Sequence, residues 1–193
     1  MNRNLKVFWI DDEHDDPKNI DLISNAKDIG IELIGFPSLN TGLSELKSNY
    51  NNYDAIILDA NFKENDNSTV EDQTGKFAIR VLNEINSIPK YFKPFILTGY
   101  NKDENFKEIF KEENIFKKGN IDDVERLWVS VKIWFYNLPD NIIKNKYSDA
   151  FDVCSDDYIG EKSGDLLLKI LRNEDDYNLN YVRQILEALF KKY

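Results

Sequence analysis

The sequence predicts an α/β fold, a doubly wound parallel sheet of five strands followed by a small helical domain. Two observations carry this expectation. Short, almost continuously apolar runs alternate with longer segments of helical periodicity, the rhythm of strands buried on both faces and joined by crossover helices. The alternation then stops at Asn137-Leu138-Pro139-Asp140, beyond which only helical patterns occur.

The strands read at about 5–10, 31–36, 53–59, 93–98 and 114–118, and the helices at about 18–29, 39–49, 75–86, 103–112 and 121–136. Pro17 opens the first helix and Gly30 closes it; Pro94 opens the fourth strand, where a missing N–H is tolerated. Asp103 and Asp122 lie near helix starts, where a carboxylate is favoured by the helix dipole. The break at 137–140 divides the chain into residues 1–137 and a helical domain, 138–193. In the latter, 147–151, 166–171 and 181–193 look helical, separated by Gly160, Gly164 and the acidic turn Glu174-Asp175-Asp176. The sequence stops within the pattern Val182 to Phe190, as a fragment of a longer protein would.

Composition narrows the function classes. With 193 residues, 41% of them apolar, the chain is long enough for one domain of about 130 residues plus a smaller appendage, since domains typically run to roughly 100–150 residues. No apolar stretch approaches the roughly 20 residues of a transmembrane helix. Met1-Asn2-Arg3-Asn4 has no apolar segment of the signal-peptide kind, so a cytoplasmic location is expected. Cys154 is the only cysteine, which excludes an intrachain disulfide and reads as a partly buried small hydrophobe rather than a nucleophile. The formal net charge of −10 argues against a phosphate backbone as partner. From Asp140 onward 11 acidic residues face 8 basic ones, so the tail does not read as a nucleic-acid-binding module either.

In open α/β sheets the ligand site lies beyond the carboxyl ends of the strands. Asp11, Asp12 and Glu13 come after the first strand, Asp59 closes the third, Thr98 and Gly99 the fourth, and Lys117 and Lys118 the fifth, before Gly119. If the first and third strands are neighbours, three carboxylates converge at one sheet edge. Such carboxylates repel by several kcal/mol at an effective dielectric of about 20, so the cluster suits a hard, oxygen-seeking ion such as Mg²⁺. Each residue has a plain alternative: an N-cap for the acids, a structural hydroxyl, a solvated lysine pair. The ordered conjunction outweighs them. Because alternate strand residues face opposite sides, only one of Lys117 and Lys118 is expected to reach the pocket. His14, the sole histidine, reads as a solvated loop residue, since Mg²⁺ prefers oxygen ligands. Trp9, Trp128 and Trp134 read as core and interface residues.

The stretches Val7-Phe-Trp-Ile-Asp11-Asp12-Glu13, Tyr53-Asp-Ala-Ile-Ile-Leu-Asp59, Phe95-Ile-Leu-Thr98-Gly99-Tyr100 and Ile115-Phe-Lys-Lys118-Gly119 resemble the receiver domain of two-component response regulators, over about residues 4–137. The resemblance implies a flavodoxin-like fold and a phosphoryl group accepted on Asp59 from a histidine kinase or phosphotransfer protein. It further implies Mg²⁺ held by Asp11, Asp12, Asp59 and the backbone carbonyl of Asn61, with Thr98 and Lys118 (or Lys117) contacting the phosphoryl oxygens. On this reading the chain is a signalling switch, not an enzyme of general turnover, and its helical tail meets an unknown output protein. A Mg²⁺-dependent phosphohydrolase or nuclease and an unphosphorylated scaffold are the alternatives. Three features depart from the family: Lys63 stands where a proline is common, the acidic loop Glu64 to Asp72 is long, and Ile115 (or Asn114) replaces a frequent aromatic. The helix at 121–136, with Leu127, Trp128, Val131, Trp134 and Phe135, is apolar around much of its circumference. It is expected to be covered on a second side by the tail, or by a second subunit in a homodimer through the 103–112 and 121–136 helices.

Overall fold

A computed structural model of the chain describes residues 4–69, 76–99, 110–154, 160–172 and 184–185. Five strands, β1 (Leu5–Ile10), β2 (Ile31–Phe36), β3 (Ala55–Leu58), β4 (Pro94–Thr98) and β5 (Ile115–Lys117), form one all-parallel sheet in the order β2-β1-β3-β4-β5. This is the flavodoxin-like order, in which the chain winds outward to both sides of β1 and β3. Every residue of β3 is buried, as both-face coverage of a central parallel strand requires. β3 and β5 are shorter than their apolar signals. Tyr53 and Asp54 lead into β3 rather than belonging to it: Asp54 spends its carboxylate on the Lys6 backbone N–H at 2.9 Å, fixing the entry to β3 beside β1.

The helices packed on this sheet are α1 (Ile20–Asp28), α2 (Leu39–Asn49), α3 (Lys76–Ser87) and α4 (Ile121–Tyr136). The first is shorter than the expected 18–29, because Pro17–Asn19 turns as a 3-10 segment capped by Asp16, whose side chain accepts from the Lys18 N–H. Gly30, at φ +77°, ends the α1 region in a left-handed conformation that a side chain would resist. The expected helix at 103–112 falls largely outside the described residues; its last residue begins a 3-10 turn, Glu112–Asn114.

One face of the sheet carries the main core. Phe8, Ile10, Ile56, Leu58 and Ile96 pack with Leu39, Leu43 and Leu46 of α2 and Ala78, Val81 and Ile85 of α3. Phe8 stacks on Phe36 with ring centroids 4.7 Å apart and meets Tyr53 edge-on at 5.2 Å. Gly42 lets α2 approach: a Cβ there would lie 2.6 Å from Ile10 Cδ1 and 3.3 Å from Phe8 Cζ. The intervening strand residues Val7, Trp9, Ile57, Phe95 and Phe116 are equally buried and alternate to the other side. There Phe95 meets Trp134 of α4, centroids 6.5 Å apart.

The chain divides into two compact units at Phe135/Tyr136. The second contains α5 (Pro139–Lys146), α6 (Ser148–Val153) and α7 (Glu161–Leu171). The first of these is a helix that the sequence pattern does not predict, beginning within the break at 137–140. Pro139 starts the helix at N1, where a missing N–H costs nothing, with Asp140 in the first turn and Lys144 and Lys146 in the last, each matched to the dipole. Arg172 Nε donates to Asp140 Oδ1 at 2.7 Å, linking the end of α7 to the start of α5. Cys154 is buried beside Gly164, and burial pushes its thiol above the usual range. The helical expectations at 181–183 and 186–193 and the acidic turn at 174–176 lie outside the described residues. Among the described residues, no helix is long and apolar enough to cross a membrane.

Candidate functional site

Strand register assembles the site. Ile10 pairs with Leu58, so the next residues, Asp11 and Asp59, emerge side by side from β1 and β3. Two backbone bonds hold them there: the Asp59 N–H donates to the Ile10 carbonyl at 2.9 Å and the Asp11 N–H to the Phe36 carbonyl at 3.0 Å. On the other flank Thr98 pairs with Lys117, and the Thr98 carbonyl accepts the Lys118 N–H at 2.7 Å. Lys118 therefore enters the pocket one residue past the strand. Its Nζ lies 2.5 Å from Asp11 Oδ2 and 2.6 Å from Asp59 Oδ2. Lys117, the last residue of β5, gives its backbone N–H to Asp123 Oδ2 at 2.9 Å; the ammonium at the carboxylates is that of Lys118.

Other carboxylate oxygens of the cluster are held as well. Asp59 Oδ1 accepts from the Ala60 N–H at 2.6 Å, and Asp11 Oδ1 from the Glu13 N–H at 3.0 Å. Asp12 pairs with Lys63, Nζ to Oδ2 at 3.1 Å. Thr98 is buried at the sheet edge, and Asn61, two residues past Asp59, is half-buried. His14 departs from the expected solvated residue. It is half-buried over Gly35, where a Cβ would lie 2.2 Å from its Cδ2, and edge-on to Trp9 at 6.5 Å. Its Nδ1 is 3.0 Å from the Asp11 carbonyl, so that nitrogen carries the proton of the bond.

Asp11, Asp12 and Asp59 each offer an oxygen, all within 4.8 Å of one another. An octahedral ion with bonds of about 2.0–2.1 Å places its ligands roughly 3–4 Å apart, so the oxygens fit with small adjustment. The donor chemistry agrees: all oxygen, all anionic, with Asp11 Oδ2 fully buried against the Lys118 ammonium. Burial pushes the Asp59 carboxyl up to about 7; Lys118 pulls it down and Asp11 pushes it further up. Burial likewise raises Asp11, against the pull of Lys118. Burial alone would lower Lys118, but Asp59 and Asp11 outweigh it and hold the ammonium above its ordinary range.

These shifts fix how metal-free stability depends on pH. Between about 4 and 7 the folded protein binds a proton at Asp59 that the unfolded chain does not, so stability falls as pH rises through this window. Lys118, raised, contributes stability that is lost only as pH rises above about 10.5 and is constant here. The urea midpoint in EDTA is therefore expected to be higher at pH 5.5 than at pH 8, and saturating Mg²⁺ to reverse the order. A midpoint that climbs with pH in EDTA contradicts this account.

No protein-family model matches the sequence, and no curated protein matches it. Solved structures do. A response regulator receiver domain protein from Clostridium thermocellum is 22% identical, covering 66% of this chain and 91% of that one with a TM-score of 0.48. A Francisella response regulator receiver domain is 20% identical, covering 68% and 97%, TM-score 0.49. A CheY-like receiver domain protein from Methanospirillum hungatei is 15% identical, covering 68% and 94%, TM-score 0.47. Many of the structures this chain is similar to are response regulator receiver domains; its five-stranded, all-parallel, doubly wound sheet is read from its own strand order.

Proposed function

We propose that this chain is a phosphorylation-controlled signalling switch that accepts a phosphoryl group on Asp59. The observation that carries the reading is the Lys118 ammonium bridging Asp11 and Asp59 at 2.5 and 2.6 Å beside a third carboxylate, Asp12. A carboxylate is a competent nucleophile for phosphoryl transfer, which needs mainly positioning and charge neutralisation.

Asp11, Asp12 and Asp59, with the Asn61 carbonyl, are the groups that would hold Mg²⁺, which when bound neutralises the anionic partners. Asp59 attacks phosphorus through a carboxylate oxygen; the donor's bond to phosphorus breaks and its electron pair leaves with the donor, a phosphohistidine of a kinase or phosphotransfer protein. Lys118 then exchanges Asp59 for a phosphoryl oxygen, and the Thr98 hydroxyl donates to another. Both residues are thereby drawn toward the new charge, which biases the surface beyond β4 and β5 between two states. A cytoplasmic setting and an output protein meeting the helices after residue 137 belong to the same reading, as does a homodimer using the 103–112 and 121–136 segments. Val129 and Ile133, one turn apart on α4, are more than half exposed and offer an apolar start for such a contact.

Incubation with a small phosphodonor tests the core of the proposal. Intact mass is expected to rise by one phosphoryl group only when Mg²⁺ is present, and peptide mapping to place it on Asp59. A gain that ignores chelation sinks the assignment. Sustained turnover of the donor would instead favour a phosphohydrolase, and inertness to both donor and Mg²⁺ a scaffold.

A further inference from the structure

Lys63 stands four residues past Asp59, and its ammonium reaches back to Asp12, 3.1 Å from Oδ2. That reach is fixed by backbone. Lys63 forms a parallel bridge with Ser38, its carbonyl accepts the Leu39 N–H at 2.8 Å, and the next carbonyl, of Glu64, accepts the Asn40 N–H at 3.0 Å. Asp66 closes the seam by accepting from Ser38 Oγ at 2.5 Å and Thr41 Oγ1 at 2.7 Å. The Lys63 ammonium thus starts from an anchored Cα, and the Asp12 side chain is only 6% exposed against 29% for Lys63.

Charge balance governs the entry of a divalent ion. Three carboxylates with Lys118 and Lys63 sum to −1. Adding a dication while Lys63 stays would leave the pocket at +1, with two cations competing for one carboxylate; if Lys63 withdraws, the pocket is neutral. Lys118, bound to two buried carboxylates, is the less free to leave. Lys63 is already part-exposed and swings into water without moving its backbone.

We infer that Lys63 is a built-in competitor of the metal: its ammonium holds Asp12 in the metal-free protein and is displaced when the ion binds, so loading is an exchange of cations. The inference rests on the metal-dependent switch proposed above and adds a residue that sets how much free Mg²⁺ the switch needs. A tethered competitor weakens apparent affinity by the fraction of time it occupies the ligand.

The test is Mg²⁺ titration of the full chain, monitored by calorimetry. Lys63→Met is expected to bind Mg²⁺ about tenfold more tightly than wild type, equivalent to about 1.4 kcal/mol, and Lys63→Arg to stay close to wild type. In wild type, the Lys63 Cε–Hε NMR signal, assigned by its loss in Lys63→Met, is expected to move toward the position of a solvated lysine on adding Mg²⁺. Equal affinities in wild type and Lys63→Met, weaker binding by Lys63→Met, or an unmoved Lys63 signal at saturating Mg²⁺ would each overturn the exchange while leaving the metal site standing. Absence of Mg²⁺ binding in every protein, wild type included, overturns the switch reading and the exchange together.

Discussion

Asp59→Asn is expected to take up no phosphoryl group from any donor, and at the same time to be more stable than wild type at pH 8 in EDTA. The loss is chemical: an amide lacks the anionic oxygen that attacks phosphorus. The gain is physical. Asparagine keeps the acceptor that takes the Ala60 N–H at 2.6 Å, but removes a carboxylate whose burial pushes it up to about 7, a sign that its charged form is disfavoured in the fold. A shift of one pKa unit corresponds to about 1.4 kcal/mol, and part of the gain is returned because the new amide cannot pair with Lys118. A net increase of about 2 kcal/mol, or roughly 4–8 °C in Tm for a chain of this size, is expected. Thermal melts in EDTA check it; a variant less stable than wild type at pH 8 would mean that Asp59 is anchored chiefly by Lys118 and not strained by burial. Function would here be retained at a cost in stability.

The opposite outcome is expected at Lys118. Replacing it by Met keeps an apolar stem of suitable length, but leaves Asp11, fully buried, and Asp59 without their shared cation. Removing one partner of a buried ion pair costs about 3–5 kcal/mol; with a urea slope of about 2 kcal/mol/M that moves the midpoint down by roughly 2 M. The deficit should be smaller at pH 5.5, where the carboxyls can protonate, and Mg²⁺ should restore about 2.7 kcal/mol at a hundred times its Kd. Combining Lys118→Met with Asp59→Asn should cost less than Lys118→Met alone by more than the roughly 2 kcal/mol that Asp59→Asn gains by itself, because without the lysine a charged Asp59 is uncompensated. If the two changes simply add, the bridging lysine is not what balances these carboxylates.

How much of the fold and site is legible in the sequence depends on the range of the interaction. β1 and β2 are readable to the residue, since Leu5–Ile10 and Ile31–Phe36 are mostly apolar stretches, interrupted by Lys6, Glu32 and Gly35, that are bounded by polar or turn residues. The convergence of Asp11, Asp12 and Asp59 comes from strand ends alone, given a parallel sheet. Which lysine enters the pocket does not, because it depends on β5 ending at Lys117, a matter of pairing with β4 that side-chain pattern leaves open. Lys63 is visible only as a departure from a family pattern; its approach to Asp12 arises from docking onto Ser38, 25 residues earlier in the chain. The helix at Pro139–Lys146 is hidden by its own start signal, a proline that ends helices when internal and begins them at N1. His14 escapes the pattern because its burial comes from Gly35, a residue with no side chain to announce the space above it.

The seam between residues 38–41 and 63–66 has a consequence for grafting and recombination. The first N–H groups of α2 have no partner within the helix, and those of Leu39 and Asn40 are satisfied by the carbonyls of Lys63 and Glu64. The segment after β3 is thus also the cap of a helix that precedes it in the chain. Exchanging residues 60–66 alone for a loop of different path would leave the Leu39 and Asn40 N–H groups without these partners, with only the Ser38 cap on the Thr41 N–H retained, and importing α2 alone on a different path would leave the Lys63 and Glu64 carbonyls without theirs. The smallest transplantable piece of this chain on that side is Ser38 through Asp66, crossing the sheet with β3 inside it.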